Sequence, residues 1–254
     1  MGEILDKFQM KDCNLVNTPS EFGLKLNKDD GRKKVNNTLY KQIVWSLMYL
    51  TATRPDIMHV VSVISRYMEC PIEIHLLAAK RIPRYLQGTK EFGLFFKKGE
   101  KSDLFGFTDS DYAGDSDDRK STSGSVSWSS KKQPIVTLST TEAKFVVATA
   151  CACQAIWLKK ILKELLFKED GPTLIYYDNS SAIKLSKNLV LHCRSKHIDV
   201  KYHFLRDLTN DGVINLVYCR SEDQIADILT KPLKFLAFQK LKELLGVCSS
   251  KDFI

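Results

Sequence analysis

The sequence predicts an α/β protein in which a small helical segment precedes a mixed sheet flanked by helices. Apolar residues recur at helical spacing in the first part of the chain. Short runs rich in Val, Ile, Phe, Tyr and Thr begin near residue 104, and helical and strand-like stretches alternate after residue 140. Strands that are followed by alternating helices and strands are typical of a mixed sheet covered by helices.

The first segment contains three predicted helices. Apolar residues have helical spacing over 40–50 and 56–68, and Pro55 suits the first turn of the second of these helices. A third helix is predicted over 73–87. Pro83 removes a backbone donor inside it, so we expect a kink or a break there.

The second segment is predicted to contain both strands and helices. Its strand-like runs, rich in β-branched and aromatic residues, cover 104–108, 124–128, 135–138, 173–177 and 213–218. Its predicted helices cover 140–167, 180–186, 196–208, 223–229 and 235–244. The polar stretch 97–102 separates the two segments and therefore predicts a helical domain over 1–100 and an α/β domain over 101–254.

The composition is that of a globular protein with an excess of basic residues. Of 254 residues, 44% are hydrophobic and 27% are charged, which excludes collagen, low-complexity disorder and a coiled coil. The net charge of +8 suits a polyanionic partner but is also common in ordinary soluble proteins. The seven cysteines include no Cys-x-x-Cys pair, so we expect reduced thiols in the cytoplasm or the nucleus.

Neither secretion nor membrane insertion is expected. The longest uncharged stretch in the apolar middle of the chain, 145–158, has 14 residues, whereas a bilayer needs roughly 20. The N-terminus carries Glu3 and Asp6 where a signal peptide is basic and then apolar. We therefore expect a cytoplasmic or nuclear protein that is not secreted and has no membrane partner.

Four acidic residues occupy the ends of predicted elements. Asp109 and Asp178 follow strands, whereas Glu142 and Asp227 lie in the first turns of helices. If the two strands are neighbours, the four carboxylates can surround one cleft. Clustered carboxylates repel each other unless cations neutralise them, and two divalent ions about 4 Å apart can activate water and stabilise the leaving oxygen of a phosphodiester. The pattern suggests metal-assisted phosphodiester hydrolysis.

Each acid also has a purely structural interpretation. Ser139 and Glu142 match a capping box, in which the Glu bonds back to the backbone at the start of the helix. Asp227 suits the positive end of a helix dipole, and Asp109 and Asp178 suit turns at strand ends. The residues alone leave both interpretations open.

The four acids lie within longer motifs. These are GFTDSDYAGD at 106–115, RKSTSG at 119–124, SWSSKKQ at 127–133, LSTTEA at 138–143, YDN at 177–179 and ADILTK at 226–231. Together they resemble the ribonuclease H domain of Copia-type retrotransposon Pol polyproteins. Upstream, WSLMYLTATRPD at 45–56 and AAKR at 78–81 resemble the connecting segment that follows the reverse transcriptase in the same polyprotein.

The resemblance implies a ribonuclease H-like mixed sheet and cleavage of the RNA strand of RNA–DNA hybrids. It assigns Asp109, Glu142, Asp178 and Asp227 as catalytic residues that bind two Mg²⁺ ions, and Mn²⁺ also suits oxygen ligands. The implied partners are an RNA–DNA hybrid and other Pol or Gag products of the parent element. The rival interpretation is a catalytically inactive Pol remnant that binds nucleic acid or has no selected function.

The segment 194–206 also resembles the family. In a helix, its His197 and Lys201 lie four residues apart on one face, where they could meet a phosphate backbone. A solvated helix with His203 packed in the core explains the segment equally well.

Three departures from the family pattern bear on activity. No Tyr-x-Asp-Asp polymerase motif occurs, so DNA synthesis is not expected. Lys144 stands where the family usually has a second Glu. The family also carries several more residues at position 126–127, including a glycine-rich turn. We therefore predict a hairpin that pairs 124–128 with 135–138 and turns within 129–134.

Overall fold

The chain divides into two units, each formed from more than one segment of the sequence. The computed structural model describes residues 2–28, 31–95, 104–125, 128–167, 171–187 and 199–253. The first unit comprises Met1–Lys97, Asp115–Arg119 and Lys231–Ile254, and the second comprises Lys98–Gly114 and Lys120–Thr230. The division after residue 97 lies near the predicted boundary at residue 100. The segment 231–254, which the sequence prediction placed in the second domain, makes its contacts in the first unit.

Helices and strands alternate along much of the described chain. The α-helices are α1 (Gly2–Lys7), α2 (Asn37–Leu50), α3 (Met58–Ser65), α4 (Glu73–Gly88), α5 (Thr140–Glu164), α6 (Ser180–Lys187), α7 (Asp199–Asn210) and α8 (Phe235–Leu244). The strands are β1 (Phe92–Leu94), β2 (Phe105–Phe107), β3 (Asp109–Ser110), β4 (Thr122–Ser125), β5 (Ser129–Lys132), β6 (Thr173–Tyr177), β7 (Ile214–Tyr218) and β8 (Val247–Ser249). Short 3₁₀ helices cover Pro55–Ile57, Ser221–Asp223, Ile225–Leu229 and Ser250–Phe253. The predicted α/β class is confirmed.

The first unit is mainly helical. α2 begins after Asn36, whose side-chain oxygen accepts a hydrogen bond from the backbone N–H of Leu39 at 3.0 Å. α4 continues through Pro83, so no break occurs there. Pro83 is buried together with Ile82 and Leu86 on the same helix, and this packing offsets the loss of one backbone donor. β1 pairs antiparallel with β8.

A buried charge network joins the 3₁₀ helix Pro55–Ile57 to α4 in the first unit. Arg54 is 1% exposed, and its Nε and Nη2 donate to the two carboxylate oxygens of Asp56 at 2.9 and 2.7 Å. The same guanidinium donates to the backbone and hydroxyl oxygens of Thr89, and Tyr85 donates its hydroxyl to Asp56 at 2.6 Å. Burial lowers the pKa of Arg54, but the hydrogen bonds and charge of Asp56 outweigh burial and raise it. The guanidinium therefore stays charged.

The second unit contains two three-stranded sheets that share one interrupted strand. β2, β6 and β7 run parallel, whereas β3, β4 and β5 pair antiparallel. Only Thr108 separates β2 from β3, and its backbone N–H donates to the carbonyl of Tyr176 at 3.2 Å. The strand order across both sheets is therefore β5, β4, β3 with β2, β6 and β7. Parallel and antiparallel pairs are combined, as the sequence predicts.

The hairpin of β4 and β5 differs from the prediction. Ser125 pairs with Ser129, so Ser129–Lys132 forms a strand and not the turn predicted over 129–134. The segment 135–138, predicted as the second strand, is not a strand. A hairpin in this region is confirmed, but its predicted turn and second strand are wrong. The physical reason is that β5 pairs through polar residues, which a search for apolar runs does not detect.

The core of the second unit is organised around α5. Its buried apolar residues come from α5 and the elements packed on it: Phe145, Ala148, Cys151, Ala152, Ala155, Ile175, Tyr177, Ala182, Leu205, Ile214 and Leu216. By length and composition alone, α5 is also the one helix in the described part of the chain that could cross a membrane. One face of α5 supplies five of these core residues.

Candidate functional site

Asp109 lies at the junction where the parallel and antiparallel sheets meet. It is the first residue of β3 and pairs with Gly124 of β4. Its side chain is 1% exposed, and Oδ2 accepts a hydrogen bond from the hydroxyl of Thr230 at 2.8 Å. The sequence correctly predicted that Asp109 follows the first strand of the second unit.

Asp178 lies at the end of the neighbouring parallel strand and shares a lysine with Asp109. Nζ of Lys144, in the second turn of α5, is 2.5 Å from Oδ1 of Asp178 and 3.1 Å from Oδ1 of Asp109. The second carboxylate oxygen of Asp178 accepts from the hydroxyl of Ser221 at 3.5 Å. One positive charge thus contacts two buried carboxylates from adjacent strands.

The environment of Lys144 keeps its ammonium group charged. Burial lowers the pKa of Lys144, but the charge of Asp109 and the hydrogen bond and charge of Asp178 together outweigh burial. The pKa of Lys144 is therefore raised above its ordinary value. At neutral pH this ammonium supplies the positive charge that the two carboxylates require.

Glu142 contacts the backbone at the start of α5. The hydroxyl of Ser139 accepts from the backbone N–H of Glu142 at 3.1 Å, which is a helix N-cap. Oε2 of Glu142 accepts in turn from the backbone N–H of Leu138 at 2.8 Å. This reciprocal pattern is close to the capping box considered from the sequence, with the donor one residue before the cap.

Asp227 is carried by the 3₁₀ helix Ile225–Leu229 and is 6% exposed. The sequence predicted one helix over 223–229, whereas two short 3₁₀ helices occupy this region. Gln224 anchors them: its Nε2 donates to the carbonyl of Thr108 at 3.2 Å, and its Oε1 accepts from the N–H of Ala226 at 3.3 Å. Asp227 is therefore held beside the junction that carries Asp109.

Burial and nearby negative charges affect the thiol of Cys219. Burial first, and then the charges of Asp178 and Asp227, raise the pKa of the Cys219 thiol to about 12. The thiol is therefore protonated at neutral pH. The form of cysteine that attacks electrophiles or binds metals is the thiolate.

Gly124 allows the Asp227 segment to approach the sheet. A Cβ at this position would lie 2.8 Å from Cβ of Leu229, 2.9 Å from Cγ2 of Thr230 and 3.0 Å from the carbonyl oxygen of Ala226. No L-residue with a side chain fits unless the backbone moves. The close approach places the Thr230 hydroxyl on Asp109.

We expect Gly124→Ala to lower the free energy of unfolding by about 1–3 kcal/mol, because overpacking at this contact forces the 3₁₀ segment away from β4. Urea denaturation of the purified protein measures the change. Gly93→Ala is the matched control, because a Cβ there meets no atom within 4 Å. Equal stability of the two variants would contradict a tight contact at Gly124.

The structure brings two of the four predicted acids onto one shared cation. Within the described residues, which include all four acids, no group of three His, Cys, Asp or Glu side chains is arranged to hold a metal ion. Asp109 and Asp178 fit one hard cation, because their carboxylates converge on a single atom, and that atom is Nζ of Lys144. A site for two ions requires Lys144 to leave and Glu142 to turn from the backbone.

The predicted nucleic-acid contacts are only partly described. His197 lies outside the described residues. Lys201 lies in α7 and is partly exposed. His203 is exposed, with Nδ1 2.7 Å from Nη2 of Arg206, so the expectation that His203 packs in the core is wrong.

Sequence reasoning missed the residues that hold the acids in place. For Lys144 the sequence carries one signal, which is the departure of this position from the family pattern. Thr230 belongs to the ADILTK motif and Gln224 precedes it, but neither is acidic, so a search for metal ligands passes over both.

Two known proteins that are similar to this chain are Pol polyproteins from plant transposons. The chain is 41% identical over 96% of its length to the retrovirus-related Pol polyprotein from transposon RE1 of Arabidopsis thaliana. It is 40% identical over 97% of its length to the retrovirus-related Pol polyprotein from transposon TNT 1-94 of Nicotiana tabacum. The chain is a relative of transposon Pol polyproteins. This Pol-related chain spans 17% and 20% of the length of those two polyproteins.

A third relative is much shorter than the Pol polyproteins. The secreted RxLR effector protein 161 of Plasmopara viticola is 40% identical to 49% of the Pol-related chain, and the match covers 94% of that protein. No family model matches the chain, and no solved structure matches it.

Proposed function

We propose that the second unit is a ribonuclease H-like module of a Copia-type Pol polyprotein that hydrolyses the RNA strand of RNA–DNA hybrids with divalent metal. The observation that carries the proposal is the convergence of Asp109 and Asp178. Their carboxylates come from adjacent strands and share one cation, at 3.1 and 2.5 Å. The mixed strand order of the unit, with β2 beside β6, is consistent with a ribonuclease H-like sheet.

The residues of this site have distinct roles in the proposal. Asp109 and Asp178 hold a divalent cation, which when bound supplies activation of water and stabilisation of the leaving oxygen. The hydroxyls of Thr230 and Ser221 orient the two carboxylates. Glu142 and Asp227 complete the ligand set after rearrangement.

Substrate recognition in the proposal depends on charge and on the 2′-hydroxyl group. The net charge of +8 favours a polyanion, and Lys201 offers one partly exposed ammonium on α7. Contacts to 2′-hydroxyls distinguish the RNA strand from DNA. Binding of this kind is weakened by salt, because each phosphate contact releases counterions.

A second candidate function, a catalytically inactive module that binds nucleic acid, is favoured by one specific observation. The ammonium of Lys144 already contacts the carboxylates of Asp109 and Asp178, and the Glu142 carboxylate is bonded to the backbone of Leu138. An inactive module retains the net positive charge of the chain and loses hydrolysis. The two candidates differ only in metal-dependent cleavage.

The test is incubation of the purified protein with an end-labelled RNA–DNA hybrid in Mg²⁺, in Mn²⁺ and in EDTA. We expect cleavage of the RNA strand only with a divalent ion, and loss of cleavage in Asp109→Asn and in Asp178→Asn, because each removes a negative ligand at almost constant volume. Asp211→Asn is the matched control, because Asp211 is an exposed acid of the same unit. Salt-sensitive hybrid binding without cleavage under any condition would leave the inactive module as the function.

A further inference from the structure

The ammonium group of Lys144 is the cation that the carboxylates of Asp109 and Asp178 share. The three side chains are 12%, 1% and 6% exposed, so little water screens their charges. Two negative charges meet one positive charge, and the group keeps a net charge of −1. A buried cluster of this charge attracts further cations but already contains one.

The geometry of α5 explains why Lys144, and not Glu142, faces the two aspartates. Side chains two positions apart leave a helix in directions that differ by roughly 200°. Lys144 meets Asp109 and Asp178, and Glu142 meets the backbone of Leu138 at the N-terminus of the helix. The basic residue therefore takes the position that faces the cleft.

We infer that Lys144 is an internal counter-ion that competes with divalent metal for the carboxylates of Asp109 and Asp178. The inference rests on the proposed function, since it concerns regulation of the same site. A Mg²⁺ ion needs oxygen ligands at about 2.0–2.1 Å and cannot share this space with an ammonium group. Metal therefore binds only when Nζ of Lys144 moves away.

The flexible side chain of Lys144 makes this exchange physically accessible. Its four-carbon stem has several rotatable bonds, and the side chain is 12% exposed, so Nζ has a path to solvent. Exchange of the ammonium for a metal ion breaks two ion pairs. The free energy of these contacts must be overcome when metal binds, so the affinity for metal is lower. Filling the site consequently requires a higher concentration of divalent ion than the same carboxylates would need without the lysine.

Binding of Mn²⁺, followed by the electron paramagnetic resonance signal of the free ion, tests the competition without reference to activity. We expect Lys144→Gln to bind Mn²⁺ at least about tenfold more tightly than the parent, which corresponds to about 1.4 kcal/mol. Lys144→Arg keeps the positive charge and should match the parent. Lys160→Gln is the control for charge, because Lys160 is an exposed lysine of the same helix. It should also match the parent.

The location of the ion is tested by adding Asp109→Asn to Lys144→Gln, which should remove the gain in affinity. Equal Mn²⁺ affinity in the parent and in Lys144→Gln would overturn the inference. If Lys144→Gln does not fold, Mn²⁺ binding by the parent protein decides whether the ammonium excludes metal. Micromolar Mn²⁺ binding by the parent that Asp178→Asn abolishes would show that the ammonium does not exclude metal.

Hybrid cleavage separates this inference from the proposed function. If the parent and Lys144→Gln cleave the hybrid at the same concentration of divalent ion, the inference of competition is overturned and the nuclease function stands. Tighter Mn²⁺ binding by Lys144→Gln without cleavage by any variant would support competition and overturn the nuclease function.

Discussion

Replacement of Arg54 by Met is expected to lower the free energy of unfolding of the first unit by about 3–5 kcal/mol. Arg54 and Asp56 are both buried, and the guanidinium donates to both carboxylate oxygens. Met fills a similar volume but leaves the Asp56 carboxylate in the interior without this partner. The carbonyl oxygen of Thr89 loses a donor as well. The penalty is the cost of an uncompensated buried charge.

Urea denaturation followed by circular dichroism measures this change, with two comparison variants. Arg54→Lys keeps the charge but lacks the planar fork that contacts both oxygens, so we expect it to be clearly less stable than the parent. Arg84→Met is the matched control, because Arg84 lies on α4 and makes an exposed hydrogen bond to the carbonyl of Asn14. That control should lose no more than about 1.5 kcal/mol. Arg54→Met and Arg84→Met with equal stability would contradict a structural role for the network.

Replacement of Lys144 by Met is expected to lower the free energy of unfolding of the second unit by about 3–5 kcal/mol at neutral pH and without metal. The variant leaves the carboxylates of Asp109 and Asp178 side by side with no ammonium between them. Their mutual repulsion then acts in a site with little water. Lys160→Met, an exposed change on the same helix, should alter stability by no more than about 0.5 kcal/mol.

The stabilisation by Lys144 should also depend on pH in a defined direction. The pKa of Lys144 in the folded protein is raised from its ordinary value of 10.5. The folded state therefore holds this proton more tightly than the unfolded state, and the stabilisation is complete below pH 10.5 and lost as the pH rises through the raised pKa. The difference in the free energy of unfolding between the parent and Lys144→Met should become smaller over that alkaline range. A gap that is constant into strong alkali would show that Lys144 acts through packing alone.

Elements with a strong local pattern could be predicted from the sequence. β6 and α8 begin and end where the apolar pattern predicts, because a β-branched or amphipathic run is enough to define them. β1, β3 and β8 have two or three residues each and were not predicted. Such short strands exist only through partners elsewhere in the chain, as when β1 pairs with β8, and no local pattern records those partners.

The candidate site was predictable to the same limited extent. The positions of Asp109 and Asp178 after strands followed from the sequence, because turns and strand ends have local signatures. The contact of Lys144 with both could not be predicted from helix periodicity, since Lys144 and Glu142 point in different directions and only the packing of α5 decides which one meets the strands. Where the Glu142 carboxylate bonds depends in turn on the backbone before the helix.

The pairing of β1 with β8 gives the first unit an unusual order of assembly during synthesis. The paired residues Leu94 and Val247 are about 150 positions apart, and the whole second unit lies between them. Phe238, Leu241 and Val247 are buried in the first unit, so the core of this unit stays incomplete until residue 247 has been synthesised. The second unit, which ends at Thr230, has all of its residues earlier. Loss of residues 231–254 would therefore damage the first unit, most of which lies before Lys98.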